Sequence, residues 1–288
     1  MPPAFASEVL RGWKAPSPEA AARIARVLGA DDDTIRRARR RAEDLREWKR
    51  ENAQGHSRKQ GHHSGQGTAG LPLHYQLGNP AVDVSIITGD LFDQDTHLAV
   101  SFSDTFDTST VNDRIIDGSS VQGQLLRLLF AGDEQLLDQQ LAAALAAVAP
   151  AHVESRQDKP LGKLVRYPLG TVAVLGEPRR LILAIAFGRM GNDLVVRAPV
   201  ESLWACYSQL WEAVYRHGQR RTLSIPLMGS GLSRVDTLDH DNLLQLILLS
   251  FVAYSRLRII CRELRIVIAP GDMGRIDTAA LHGFLRSL

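Results

Sequence analysis

The sequence predicts an α/β fold: a three-layer α/β/α domain on a mixed, mainly parallel sheet, preceded by a small helical module. Three observations carry this expectation. From Val82 onward, short β-branched runs alternate with long amphipathic segments, the pattern of strands joined by helices that cover both faces of a sheet. Glycine-containing loops directly follow several of the predicted strands, and in such sheets ligands bind beyond the carboxyl ends of the strands. Residues 54–70, QGHSRKQGHHSGQGTAG, have almost nothing to bury and read as a flexible linker between two parts of the chain.

The expected organisation is a helical module over residues 1–53, a linker over 54–81 and the α/β domain over 82–288. In the first part, Ser17 is a good N-cap and Pro18 suits the first helical position. Ile24, Val27 and Leu28 form an apolar stripe before Gly29, which ends the helix. Ile35, Ala38, Ala42, Leu45 and Trp48 then repeat at helical spacing. In the large domain, VDVSIITGDLF and HLAVSFS read as strands. SSVQGQLLRLLF begins a helix with Val121, Leu125, Leu128 and Leu129 on one face. TVAVLG and LILAIAF read as strands joined by a short turn. VESLWACYSQLWEAVYRHG is a long helix, RTLSIPLMGSG a strand and loop, LLQLILLSFVAYSRL a helix and ELRIVIAPG the last strand. A short helix closes the domain near Thr278 to Leu288.

Composition narrows the function classes. Hydrophobic residues make up 44% and charged residues 23%, ordinary for a soluble globular protein. Cys206 and Cys261 are the two cysteines, each in an apolar pattern, so the expectation is buried free thiols rather than a disulfide scaffold or zinc site. No secretory leader is recognisable after Met1, and the longest apolar stretch, Leu243 to Val252, is too short to span a bilayer. A soluble cytoplasmic protein with no membrane partner is expected. Net charge is +2, but Arg36, Arg37, Arg39, Arg40 and Arg41 crowd one stretch. This is either a solvated helix face or a contact for DNA. His56, His62 and His63 lack neighbouring cysteines or carboxylates, and no metal site is expected from them.

Four loops are the candidate ligand-binding elements. The first holds Gly89, Asp90 and Leu91. The second is the polar run Ser103, Asp104, Thr105, Phe106, Asp107 and Thr108. The third spans Gly229, Ser230, Gly231, Leu232, Ser233 and Arg234, and the fourth holds Pro270 and Gly271. Gly229 and Gly231 let backbone N–H groups face a phosphate without side chains in the way, and a nearby helix N-terminus adds favourable field. Asp104 and Asp107 are weak catalytic candidates as general bases, with Asp113 beside them; the alternative is that Asp104 and Asp107 hydrogen-bond the loop backbone. Phe106 suits either ligand stacking or core packing. Trp204, Tyr207, Trp211 and Tyr215 fall at helical spacing, which favours core or interface. Arg189 and Asn192 fit either a ligand contact or a solvent-facing loop.

The order ITGDLF, the polar second-strand loop, GSSVQG and PLMGSGLSR resembles macro domains, the ADP-ribose-binding fold, over about the last 200 residues. The resemblance implies a macro-type domain in which Asp90 accepts a hydrogen bond from the adenine amine. Gly229 to Ser233 would wrap the diphosphate and distal ribose. Ser119, Ser120, Val121, Gln122 and Gly123 would form the opposing phosphate wall. DTFDTSTVNDRIIDGSSVQGQLL together with PLMGSGLSR is similar to the macro domain of type II Thoeris anti-phage effectors. That likeness implies a sensor of an ADP-ribose conjugate supplied by a TIR-type partner enzyme, with no cofactor. This chain lacks the transmembrane helices those effectors carry ahead of the domain. Instead, SEVLRGWKAPSPEAAARIARVLGA resembles the second half of a phage-repressor-type helix-turn-helix, with its leading helices missing.

Three readings follow: a non-catalytic ADP-ribose-type sensor, an ADP-ribosyl hydrolase, and a DNA-binding regulator controlled by such a ligand. Macro hydrolases carry an NAAN-type segment and a triple-glycine helix start. Here those positions read SFSDTFDT and GSSVQG, so the resemblance favours the sensor. A homo-oligomer is compatible with each reading.

Overall fold

The structure, a computed structural model, describes residues 72–78, 81–231 and 238–288. The expected helical module, its arginine run and the histidine-bearing linker lie outside the described residues, as do Leu232, Ser233 and Arg234. Strands β1 (Leu73–Gly78), β2 (Ala81–Thr88) and β3 (His97–Ser103) come first, followed by helices α1 (Val121–Leu129) and α2 (Glu134–Leu145). A small ribbon of β4 (His152–Val153) and β5 (Val165–Arg166) precedes β6 (Val172–Glu177), β7 (Arg180–Met190) and β8 (Val196–Arg197). Helix α3 (Val200–His217), β9 (Leu223–Pro226), α4 (His240–Ser255), β10 (Glu263–Ile268) and α5 (Thr278–Leu285) complete the domain.

The sheet order is β1-β2-β10-β9-β3-β7-β6, with β8 paired to β7. The five inner strands run parallel, while β1 and β6 are antiparallel at the edges. All five parallel strands therefore deliver their following loops to one end of the sheet.

The expected linker is corrected at its C-terminal end. Leu73–Gly78 is an edge strand, with Leu73 opposite Ile86 and Gly78 opposite Ala81. Leu73 and Leu77 are buried while His74, Gln76 and Gly78 face out. That near-alternation in LHYQLG is a half-buried strand pattern, masked when the segment is averaged with the polar run before it.

Alternation also divides the core. On β3, Leu98, Val100 and Phe102 pack under α1 and α2, and Ala99 faces α3 and α4. On β7, Ile182, Ala184 and Ala186 take the first face, while Leu181, Leu183, Ile185 and Phe187 take the second. Helix α3 buries Leu203, Cys206, Tyr207, Leu210, Trp211 and Val214, an i, i+3, i+4, i+7 stripe in which each large side chain contributes roughly 2 kcal/mol. Trp211 stacks on Tyr207 at 6.0 Å and meets Phe251 edge-on at 5.3 Å. Trp204 and Tyr215 belong to the outer face of that helix and are exposed. Burial pushes the Cys206 thiol up to about 11 and Cys261 to about 12, so both free thiols stay protonated at neutral pH.

Helix α1 differs in one detail from its expected face. Gln122, Leu125 and Leu126 are buried, and Leu128 is exposed, because the helix packs on β3 through the i, i+3, i+4 row that starts at Gln122. Among the described residues no helix is long and apolar enough to cross a membrane, and no group of three or more His, Cys, Asp or Glu is placed to hold a metal ion.

Candidate functional site

At the carboxyl ends of the parallel strands the loops enclose a cleft of about 880 Å³, within the size range of small-molecule sites. Its floor is Ser101, Ser103, Pro226 and Val267 from the strands themselves. The end of β2 is tied to β10 by Gly89 N–H donating to Ile268 O at 3.0 Å. Asp90 follows, its Oδ1 accepting from Phe92 N–H at 2.8 Å, a turn that fixes the carboxylate at the rim. Gly89, Asp90 and Leu91 all line the cleft.

The wall formed by the start of α1 is built by carboxylates gripping backbone. Asp113 Oδ1 accepts from Gly118 N–H at 2.8 Å, and Asp117 Oδ1 accepts from the Ser119 N–H and hydroxyl at 2.7 and 2.6 Å. Ser120 is the N-cap, its Oγ accepting from Gly123 N–H at 3.0 Å. The first N–H groups of a helix lack intrahelical partners, and this helix end opens on the cleft through Ser119, Ser120, Val121 and Gln122. Gly123 is not at the cleft; it packs on the turn behind it, where a Cβ would come within 2.6 Å of Gly118 Cα.

Gly229, Ser230 and Gly231 line the same cleft after β9. Gly229 has φ +90°, open to glycine at little cost, and the Ser230 hydroxyl donates to Leu227 O at 2.7 Å. Among the described residues, a side chain at Gly231 would meet no atom within 4 Å. From the fourth loop Pro270 lines the cleft together with Ala269 and Asp272, whereas Gly271 does not.

The second-strand loop departs from expectation. Ser103 reaches the cleft, but Asp104, Thr105, Phe106 and Asp107 do not line it; they are buried beneath it. Asp104 accepts two bonds from Arg166 Nη1, at 3.0 and 2.9 Å, and one from Met190 N–H at 2.8 Å. Asp107 accepts from Lys159 Nζ at 3.3 Å, Thr105 Oγ1 at 2.5 Å and Lys163 N–H. Phe106, at φ +47°, stacks on Phe102 and meets Tyr167 edge-on. The loop turns inward onto Lys159 and onto Arg166 of β5, which supply these cations.

Sequence reasoning passed over Arg114, Ile115, Ile116 and Asp117, and also Leu194, Val195 and Val196, all of which line the cleft. The latter loop is pinned by Arg197, whose guanidinium beside Asp193 pulls that carboxyl down to about 2. Asn192 does not line the cleft; its Oδ1 accepts from Arg166 Nη2 at 3.1 Å. Arg189 is exposed outside the cleft.

Comparison with known proteins adds the family dimension. The family model described as Thoeris protein ThsA, Macro domain, matches residues 84–269. The chain is 26% identical over 156 residues to Thoeris protein ThsA of Bacillus amyloliquefaciens (strain Y2), which covers 53% of this chain and 50% of that protein. It thus spans about half the length of the curated relative it matches. Among solved structures, the Oceanobacillus iheyensis macrodomain with MES bound superposes with a TM-score of 0.51 at 14% identity, covering 76% of this chain and 99% of that one. An asparagine-to-alanine mutant of the same macrodomain gives 0.50 at 14% identity, covering 77% and 98%. The fold is therefore macro-type.

Proposed function

Because the chain belongs to the Thoeris ThsA macro-domain family, we propose that its cleft binds ADP-ribose or an ADP-ribose-derived signalling nucleotide, as a non-catalytic sensor in anti-phage defence. The observation that carries this reading is the pairing of two phosphate-suited surfaces in one cleft. The glycine loop at Gly229–Gly231 and the open N-terminus of α1 both line it. Backbone N–H groups and a helix dipole together favour a diphosphate. Asp90 Oδ1 is engaged by its own turn, and Oδ2 is assigned to the adenine amino group. The apolar stretch at Leu194–Val196 and Ile115–Ile116 would bound the rest of the ligand.

The absence of turnover is inferred from the fate of the loop carboxylates. Asp104 and Asp107 are held by Arg166 and Lys159, and a carboxylate so engaged is a poor base for water. A TIR-type enzyme is the proposed source of the ligand. A hydrolase reading would rest on Asp113, which lines the cleft but uses Oδ1 to hold Gly118. Calorimetry with ADP-ribose tests the binding claim: saturable binding is expected, lost in Gly231→Glu. Sustained release of ADP-ribose from a modified protein would replace the sensor with the hydrolase.

A further inference from the structure

A second, smaller concavity of about 440 Å³ lies at the opposite end of the sheet, where the parallel strands begin. It is lined by His97 at the start of β3, Arg179 just before β7, Arg220, Arg221 and Thr222 just before β9, and Arg262 just before β10. A seven-residue strand such as β3 separates it from the nucleotide cleft by roughly 20 Å. Both sites can therefore be filled at once.

Charge distinguishes this pocket. Four arginines face one carboxylate, Asp95. Elsewhere, Arg166, Arg197, Arg216, Arg258, Arg265 and Arg275 each sit on a carboxylate, while Arg114, Arg127, Arg156, Arg180, Arg189, Arg256 and Arg286 do not among the described residues; what sets this pocket apart is that four arginines line one hollow. Among the described residues, Arg179, Arg220, Arg221 and Arg262 form no such ion pair. Four guanidiniums around one hollow with a single carboxylate leave a net positive potential that an anion joining them would relieve.

The backbone is built to keep them there. Gln219 and Arg220 both adopt left-handed φ values, +49° and +57°, a conformation side-chain-bearing residues rarely take. The turn is held by Arg221 N–H donating to Gly218 O and Arg262 N–H donating to Arg220 O, both at 2.9 Å. Arg221 Nη1 donates to Arg179 O at 3.1 Å. Beneath lies His97, fully buried, with Nε2 donating to Gly218 O and Nδ1 accepting from Leu181 N–H, both at 3.0 Å. Burial, aided by Arg221, holds this imidazole's pKa below its ordinary value, so the floor adds no charge of its own near neutral pH.

We infer that this pocket binds a linear oligophosphate, free or as the terminal phosphates of a nucleotide. Three net positive charges in a small hollow match a compact polyanion, and guanidinium forks pair bidentately with phosphate oxygens. An extended nucleic-acid backbone is tracked by lysines and arginines clustered along a whole face or helix, whereas these four line one small hollow.

The test is calorimetry of the full chain with sodium triphosphate at low salt. The Gly231→Glu background excludes binding at the nucleotide cleft and should leave triphosphate affinity intact. Arg179→Glu combined with Arg262→Glu should weaken it at least about tenfold. Both side chains are exposed, so an unchanged melting temperature should accompany that loss. A parallel titration with a nucleoside triphosphate separates the sources: equal affinity assigns recognition to the phosphates alone, and tighter binding adds the nucleoside. Triphosphate affinity unchanged in the double variant, or lost in Gly231→Glu, overturns the proposal. So does tighter binding of a single-stranded oligonucleotide through the same arginines.

Discussion

The Lys159 ammonium lies 3.3 Å from Asp107 Oδ2, with the two side chains 0% and 2% exposed. Lys159 Nζ also donates to Leu161 O and Lys163 O at 2.9 and 2.8 Å. The pair staples the 155–163 segment to the loop after β3. Removing one partner of such a pair strands the other charge away from water, at a cost of roughly 3–5 kcal/mol. Lys159→Met should therefore lower the free energy of unfolding by roughly 3–5 kcal/mol, read from urea titrations as the midpoint shift multiplied by a common m-value.

Asp104→Asn and Asp107→Asn separate structure from chemistry. Each carboxylate is buried beneath the cleft and hydrogen-bonded to neighbouring cations and backbone. Both substitutions should lower the denaturation midpoint while leaving the ADP-ribose Kd, measured by calorimetry on folded protein, close to that of the parent. A large loss of affinity with stability intact would place these groups on the ligand instead.

Two glycines should respond in opposite ways. Gly231→Glu adds a side chain that meets none of the described residues, so the melting temperature should hold while ADP-ribose affinity falls at least about tenfold. Gly123→Ala drives a Cβ to 2.6 Å from Gly118 Cα. Backbone cannot yield there cheaply, and overpacking of this kind costs roughly 1–3 kcal/mol. That variant should lose stability first, and affinity through displacement of Ser119–Gln122.

Stability should also depend on pH through His97. Its folded-state pKa lies below the ordinary 6.5 because burial disfavours the imidazolium. As pH falls past 6.5 the unfolded chain takes up the proton before the folded one does, so the unfolded state is favoured. The contribution is fully present above 6.5 and is lost progressively as pH drops toward the folded value. Urea titrations across this interval should show a slope in the parent and a flatter one in His97→Gln.

Periodicity carried most of the fold. The stripe of α3 and the alternation of β2, β3 and β10 are large apolar signals, and the buried Tyr207 and Trp211 follow from them. Helix α2 was not read because EQLLDQQLAAAL is rich in alanine and buries only Leu137, Leu141 and Leu145. The two-residue strands β4, β5 and β8 are too short for any period to register. At the cleft, glycine loops after strands were visible because they use local backbone chemistry. The inward turn of Asp104 and Asp107 was not, since their cationic partners stand 62 and 52 residues away in sequence. Leu194 to Val196 reach the cleft through a turn closed by Gly191, but the left-handed residue in it is Leu194 at φ +61°, a position where the sequence shows no glycine or asparagine.

The position of β10 has a consequence in time. This strand comes last in the chain yet sits between β2 and β9, and it anchors Gly89 through Ile268 O. Until about residue 268 has left the ribosome, β1 and β2 have no neighbour on their inner side, and the rim carrying Asp90 is unsupported. The cleft is thus completed late, when synthesis of the domain is nearly done, and a growing chain lacks the supported Asp90 turn that its finished copies hold.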